Sequence, residues 1–230
     1  MGKQENTYVL QRFREILTPH KVALFNRISE QRTRHITIVL EDLFQEHNAS
    51  AVIRSCDCFG IQDLYTIENK NKYVLKRNIA LGAGRWIDLH RFTNKETASL
   101  DCLNRLRGLG YKLVATSPHA NAYTPESLPI NEPIALLFGT ERQGLTSNVL
   151  DTADYHMAIP MYGFTESFNL SVSVAIILQT LRTRLEKESF PWKLNIEEQE
   201  ELQIQWSTRI LNGGNALEKQ FRTAHLEKEF

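Results

Sequence analysis

Three short stretches of this chain gather residue types that can bind and turn over a polar ligand. They are NASAVIR at 48–54, FGTERQGL at 138–145 and IPMYGFTESFNLSVSVA at 159–175. The first sets the Asn48 amide six residues before the Arg54 guanidinium, the second places Glu141 between Gly139 and Gly144, and the third carries Gly163, Ser167 and Asn169. Amides and hydroxyls both donate and accept, a carboxylate accepts, and a guanidinium only donates, in a fork that suits phosphate and other oxygen groups. Glycines let the main chain approach a ligand closely. Each stretch alone also has a plainer reading: Asn48 as a helix cap, Gly139 and Gly144 as turn residues, and Ser167 with Asn169 as the start of a helix.

Other chemical signatures are missing. No G-x-x-x-x-G-K-[ST], no G-x-G-x-x-G after a strand, no G-x-S-x-G and no H-E-x-x-H occurs, so ATPase, Rossmann dehydrogenase, serine hydrolase and zinc protease readings have no anchor. Gly82-Ala-Gly84, followed by Arg85 and Trp86, reads as a turn. Cys56, Cys58 and Cys102 form no C-x-x-C pair, and two cysteines two apart on a helix point to different sides, so reduced packing thiols are expected and no metal site.

The elements that must hold the three stretches follow from hydrophobic period. Val9, Phe13, Ile16 and Leu17 predict a first helix and 22–28 a second; 36–40 reads as a buried strand, with Asn48 as N-cap of a helix over 51–59 that stops at Gly60. Strands are predicted at 64–67, 88–92, 112–116, 134–138 and 157–159, with helices over 96–109 and 170–185. This alternation predicts an α/β fold with a mostly parallel sheet, and all three stretches fall after strands, where such sheets bind ligands. An amphipathic helix over 196–211, with Leu202, Trp206 and Ile210 in a stripe, needs a partner surface. Three regions are expected: a helical extension at 1–34, a core at 35–188 and a helical tail at 189–230.

Composition bounds the class. The 230 residues include 27 Lys+Arg, 27 Asp+Glu and 42% hydrophobic residues, which predicts a packed globular protein and not a disordered one. No apolar run approaches the roughly 18 residues of a membrane span, and the first ten residues lack a signal-peptide core, so a cytoplasmic protein is expected. The zero net charge hides an asymmetry. Lys3, Arg12, Arg14, Lys21, Arg27, Arg32 and Arg34 outnumber Glu5, Glu15 and Glu30, and the tail is rich in Glu; charge alone reads as a solvated helix surface and leaves open a basic end that faces a polyanion.

In this order and near these spacings, the three stretches resemble the three motifs of the SPOUT RNA 2′-O-ribose methyltransferases of the TrmH family. The resemblance covers about residues 35–185, and 159–175 is its most specific part. It implies a Rossmann-like sheet whose C-terminal third makes a deep trefoil knot, S-adenosylmethionine as cofactor, and homodimers. The short basic extension and Glu-rich tail are more similar to the branch acting on guanosine-18 in the tRNA D-loop than to ribosomal RNA enzymes. By the same resemblance, Asn48, Arg54, Glu141, Ser167 and Asn169 are catalytic or supporting residues. Thr116, Leu137, Gly139, Gly144, Ile159, Met161, Phe168 and Leu170 would line the cofactor pocket, several through main-chain atoms. Phe168 stands where the family usually has Leu.

Methyl transfer to a ribose hydroxyl requires in-line positioning and loss of one proton. The resemblance puts Arg54 at the base position, yet a guanidinium with pKa above about 12 is a poor base, and a clamp on phosphate and 2′-oxygen is equally consistent. Glu141 either meets substrate or holds loop amides. Ribosomal RNA or the tRNA wobble nucleotide as substrate, a small-molecule methyltransferase, and an RNA-binding protein that lost catalysis are the alternatives. In a homodimer, the face of 170–185 and the stripe at Leu202, Trp206 and Ile210 would pack across the two-fold.

Overall fold

The computed structural model describes residues 2–43, 45–74, 80, 82–117 and 123–227, with the side chain of Lys3 outside that description. Two units emerge, one of residues 34–192 and one of residues 1–33 with 193–230. The two extensions that the sequence separates thus make one unit.

In the larger unit, β1 (Ile36–Glu41), β2 (Asp63–Ile67), β3 (Asp88–Phe92), β4 (Lys112–Thr116), β5 (Ile134–Phe138) and β6 (Tyr155–Met157) form one sheet in the order β3-β2-β1-β5-β4-β6. Every pairing is parallel. β1, β2 and β5 are buried along their whole length, as central strands of a sheet covered on both faces should be, with the buried polar residues Thr37, Glu41, Asp63 and Thr66 among their apolar ones. Alternate residues serve opposite layers. Ile36, Ile38, Leu40, Leu64, Leu136 and Phe138 pack with α3 (Glu46–Cys58) and α6 (Leu170–Leu185). Val39, Tyr65, Leu113, Ala135 and Leu137 pack with α4 (Ala98–Gly108) and α5 (Ser147–Thr152). The last predicted strand lies two residues earlier than its apolar run suggests, because Met157 pairs with Thr116 and Ala158 already leaves the ladder to bond Tyr123.

The chain winds outward from β1 to β2 and β3, then resumes on the other side, so the order reverses between β1 and β5. Leu40 lies opposite Phe138 there, and the crevice beyond their carboxyl ends is where open α/β sheets take ligands.

The smaller unit holds α1 (Gly2–Ile16), α2 (Pro19–Ser29), α7 (Ile196–Ile210) and α8 (Gly214–Leu226). Val9, Leu10, Phe13, Ile204 and Phe221 form its apolar centre, and Trp206 meets Phe25 edge-on at 5.3 Å. Leu202 and Trp206 are each 1% exposed inside their own chain, so the expectation that this stripe packs across a two-fold is corrected: α1, α2 and α8 already cover it. The inner face of α6 is likewise taken, because Val174, Ile177, Leu178, Leu181 and Leu185 are buried against the sheet.

Thiol chemistry follows from burial. Cys56 and Cys102 are buried and Cys58 is exposed, and desolvation pushes the Cys102 thiol up to about 12. One thiol is expected to react with an aromatic disulfide reagent in native buffer at pH 8, and all three after denaturation. Three fast equivalents without denaturant would contradict this packing.

Candidate active site

The crevice between β1 and β5 is furnished by three segments far apart in sequence. α3 starts earlier than its apolar pattern predicts: Gln45 is the capping position, its side chain bonds no helix amide, and Asn48 lies inside the first turn. The expectation of Asn48 as N-cap is therefore corrected. Its side chain is drawn instead into a tertiary network, where Asn48 Nδ2 donates to a Glu141 carboxylate oxygen and, at 3.2 Å, to Gln45 Oε1. Asn169 Nδ2 donates to Asn48 Oδ1 at 3.1 Å. Asn169 also caps α6, with its Oδ1 accepting from Ser171 N at 3.0 Å and Ser171 Oγ at 2.7 Å. Asn48 is 5% exposed, Glu141 and Asn169 are open to solvent. Asn48 of the first stretch thus binds one residue from each of the other two. Ser171 and Gln45 join this network without having been picked out by sequence, although a serine two residues after a capping Asn is a recognisable partner.

Glu141 rides on a tight turn. Thr140 and Gly144 exchange backbone hydrogen bonds of 3.0 and 2.9 Å, and Gly144 has φ +69°, a left-handed value that favours glycine. Gly139 sits so close beneath the turn that a Cβ there would lie 2.0 Å from the Gly144 carbonyl carbon.

Arg54 is not part of the network. At about 100° per residue, six residues carry it about 240° around α3 from Asn48. It is exposed, and among the described residues its guanidinium makes no hydrogen bond or ion pair. Ser167 is also exposed outside the network. Of the expected cofactor residues, Leu137 and Leu170 are buried at 1% and 7%, their side chains belonging to the core. The Thr116 hydroxyl donates to the Leu137 carbonyl at 2.7 Å, tying the ends of β4 and β5 together. Ile159 and Met161 are half-buried, and Phe168 is exposed.

The stretch 159–168 is distinctive. Among the described residues, its backbone N–H and C=O groups bond to no other backbone group. Main-chain donors and acceptors lying free beside half-buried Ile159 and Met161 fit a cofactor with a purine to cover and a ribose to hydrogen-bond. The same stretch exposes Tyr162 (95%) and Phe164 (109%), continued by Phe168 and Val172 at the start of α6.

The basic end is thinner than its sequence count suggests. Arg12 pairs with Glu15, Arg32 is 2% exposed with its guanidinium 5.5 Å from the Trp206 ring centroid, and Arg34 binds Asp63 and Asp88 at 2.9 and 3.0 Å. Arg27 and His20 on α2 stay exposed, while the Lys3 side chain lies outside those described.

A three-layer parallel α/β unit whose switch-point crevice joins an amide, a carboxylate and a second amide from three segments has the build of an enzyme that handles a nucleotide-like cofactor. The comparisons give the family: residues 35–179 match the SpoU rRNA Methylase family, and the chain belongs to it. It is 40% identical over 210 residues to a tRNA (guanosine(18)-2′-O)-methyltransferase of Borreliella burgdorferi, covering 91% of this chain and 93% of the relative. A crystal structure of an A. aeolicus TrmH/SpoU tRNA modifying enzyme superposes with a TM-score of 0.74 at 24% identity, over 84% of this chain and 98% of that one. An AdoMet-bound rRNA methyltransferase from Sinorhizobium meliloti shares the fold with a TM-score of 0.58 at 21% identity, over 68% and 59% of the two chains.

Asn48→Ala would strip Glu141 and Asn169 of their common partner. Methyl-transfer turnover is expected to fall about 10- to 100-fold, with the melting temperature lowered only slightly because the two partners left behind, Glu141 and Asn169, are open to solvent and can bond water instead. Full turnover by this variant would contradict a shared role for the three residues.

Proposed function

We propose that this protein transfers the methyl group of S-adenosylmethionine to the 2′-hydroxyl of guanosine-18 in tRNA. The observation that carries the reading is the meeting of Asn48, Glu141 and Asn169 at the sheet's switch point, in a chain alike over nearly its whole length to a relative named for that reaction. The cofactor supplies an electrophilic methyl group on a sulfonium and needs no acid, because its departing thioether is neutral. The chain's residues do the rest. Main-chain groups of 159–168, with Gly139, Gly144, Ile159, Met161 and Phe168 around them, would hold the cofactor's purine and ribose, and main-chain atoms of Thr116, Leu137 and Leu170 would complete the pocket. Glu141, Asn48 and Asn169 tie together the two loops at 139–144 and 159–169, and Ser167 would supply a hydroxyl to the same site.

Arg54 would present its fork to the target 2′-oxygen and a neighbouring phosphate, and the 2′-hydroxyl would give its proton to a solvent water as it takes the methyl group from the sulfur, which departs as the neutral thioether. Because Arg54 faces away from its own network, it serves the cofactor of a second copy, so the working form is a homodimer. Exposed Tyr162, Phe164, Phe168 and Val172 support this, since a patch of large apolar side chains beside a ligand loop calls for a cover. The C-terminal third of the core, with the stretches 138–145 and 159–175, forms the trefoil knot, and the protein works in the cytoplasm. No helix among the described residues is long and apolar enough to cross a membrane.

The test is a comparison of pools. Purified protein with labelled cofactor should label tRNA, and 2′-O-methylguanosine should be the only methylated nucleoside in its digest. Label confined to ribosomal RNA, or found in a wobble pyrimidine, would overturn the substrate. The pairing of Arg12 with Glu15 and the burial of Arg32 add a further expectation: the smaller unit contacts few phosphates, so tRNA affinity should fall with salt with a shallow slope, contributed by α2.

A further inference from the structure

We propose that Glu41 is a positioning residue for cofactor binding, acting through Thr146 on the turn that carries Glu141. Glu41 is the last residue of β1, 2% exposed, and among the described residues no cation pairs with it. Hydroxyl and amide donors surround it instead. Thr146 donates both its backbone N–H, at 2.9 Å, and its hydroxyl, at 2.8 Å, to the two carboxyl oxygens, and Ser99 Oγ approaches at 3.4 Å. Asn69 in turn donates to Ser99 at 3.0 Å. A buried carboxyl group matched by donors from two other segments is an organised feature, since burying an unmatched polar group costs about 1–3 kcal/mol.

What it organises is the turn at 140–144. That turn is exposed, and one pair of backbone hydrogen bonds closes it, so its direction is set by its two stems. The first stem is Gly139, at the end of β5, where Phe138 lies opposite Leu40 of β1. The second is Leu145, which is buried, and Thr146, which Glu41 holds. Both stems therefore rest on successive residues of β1, Leu40 and Glu41. The Asn48–Glu141 contact bridges the same gap at the solvent side, so the loop is tied at its mouth by the amide and at its base by Glu41. Loss of the basal tie lets Glu141 and the Gly139–Gly144 backbone drift, and misplacement by about 1 Å at such a site costs about 100-fold.

This inference rests on the proposed cofactor. Thr146→Val keeps the shape and backbone N–H but removes the hydroxyl, Thr146→Ser restores it, and Glu41→Gln removes the matched acceptor pair. Affinity for S-adenosylmethionine, measured by calorimetry alongside the melting temperature and the KM for tRNA, separates the roles. Thr146→Val and Glu41→Gln should bind the cofactor about 10-fold more weakly, Thr146→Ser should stay within about twofold of wild type, and KM for tRNA should not move. A Thr146→Val protein that melts lower yet binds cofactor as tightly as Thr146→Ser would reduce Glu41 to a structural residue and overturn the proposal. Wild-type protein that binds cofactor but leaves guanosine-18 unmethylated would sink the reaction while the affinity ratios still decide on Glu41. Wild-type protein that binds no cofactor would overturn both.

Discussion

Gly139→Ala should lose S-adenosylmethionine binding by about 100-fold or more while keeping its sheet. The added methyl would sit 2.0 Å from the Gly144 carbonyl carbon, 2.1 Å from its oxygen and 2.2 Å from the Leu145 nitrogen. All three are backbone atoms, so no side-chain rotation relieves the overlap. The reciprocal Thr140–Gly144 pair must open, and Glu141 leaves its contact with Asn48. Overpacking of this kind costs about 1–3 kcal/mol or somewhat more, which for a chain of this size lowers the melting temperature by up to about 10 °C. β5 is buried against β1 and β4 independently of the turn, so circular dichroism should stay close to wild type. Calorimetry with the cofactor checks the outcome. A variant that binds normally would mean that the turn can be rebuilt without its glycine, or that the cofactor lies elsewhere.

Arg54→Ala should bind the cofactor normally and transfer methyl groups about 100- to 10,000-fold more slowly. The reasoning is geometric. Arg54 shares a helix with Asn48 but faces away from it, so its removal leaves the Asn48–Glu141–Asn169 network intact. Arg54→Lys should not recover the rate, because an ammonium is a point charge and cannot hold a phosphate and a 2′-oxygen as a planar fork does. Mixing Arg54→Ala with Gly139→Ala makes a direct test of a site shared between copies. If Arg54 serves the partner's cofactor, mixed dimers pair one intact Arg54 with one intact cofactor site and regain activity, whereas a site complete within one chain stays dead in the mixture. Single-turnover rates on unmodified tRNA transcripts give both readings.

Much of this architecture is legible in the residues, for identifiable reasons. Ile134 to Phe138 is an unbroken apolar run and Ile36 to Leu40 is broken only by Thr37, the pattern of short strands covered on both faces, so the parallel sheet is legible. Asn169 begins α6 as its type and place suggest. Asn48 misleads by the same logic: its type favours a cap, but Glu141 and Asn169 compete for its amide from 93 and 121 residues away, and the helix starts before it. The tie between Glu41 and Thr146 spans 105 residues and follows no period, so nothing local points to it. Trp206 shows a further limit. Its stripe demands a partner surface, but α1, α2 or a second molecule would satisfy the pattern equally, and only the fold assigns it to its own chain. Counting arginines likewise overstates a basic surface, because Arg32 and Arg34 are drawn into contacts with Trp206 and with Asp63 and Asp88.

The most direct measurement of the central claim is methyl transfer from labelled S-adenosylmethionine to one unmodified tRNA transcript, with the product digested and mapped by mass spectrometry. A parallel transcript should carry 2′-deoxyguanosine at position 18. A single added methyl group on the ribose of guanosine-18, absent from the deoxy transcript and from reactions with Arg54→Ala, is the predicted result. Equal methylation of both transcripts, or a methyl group on any base, would contradict the account.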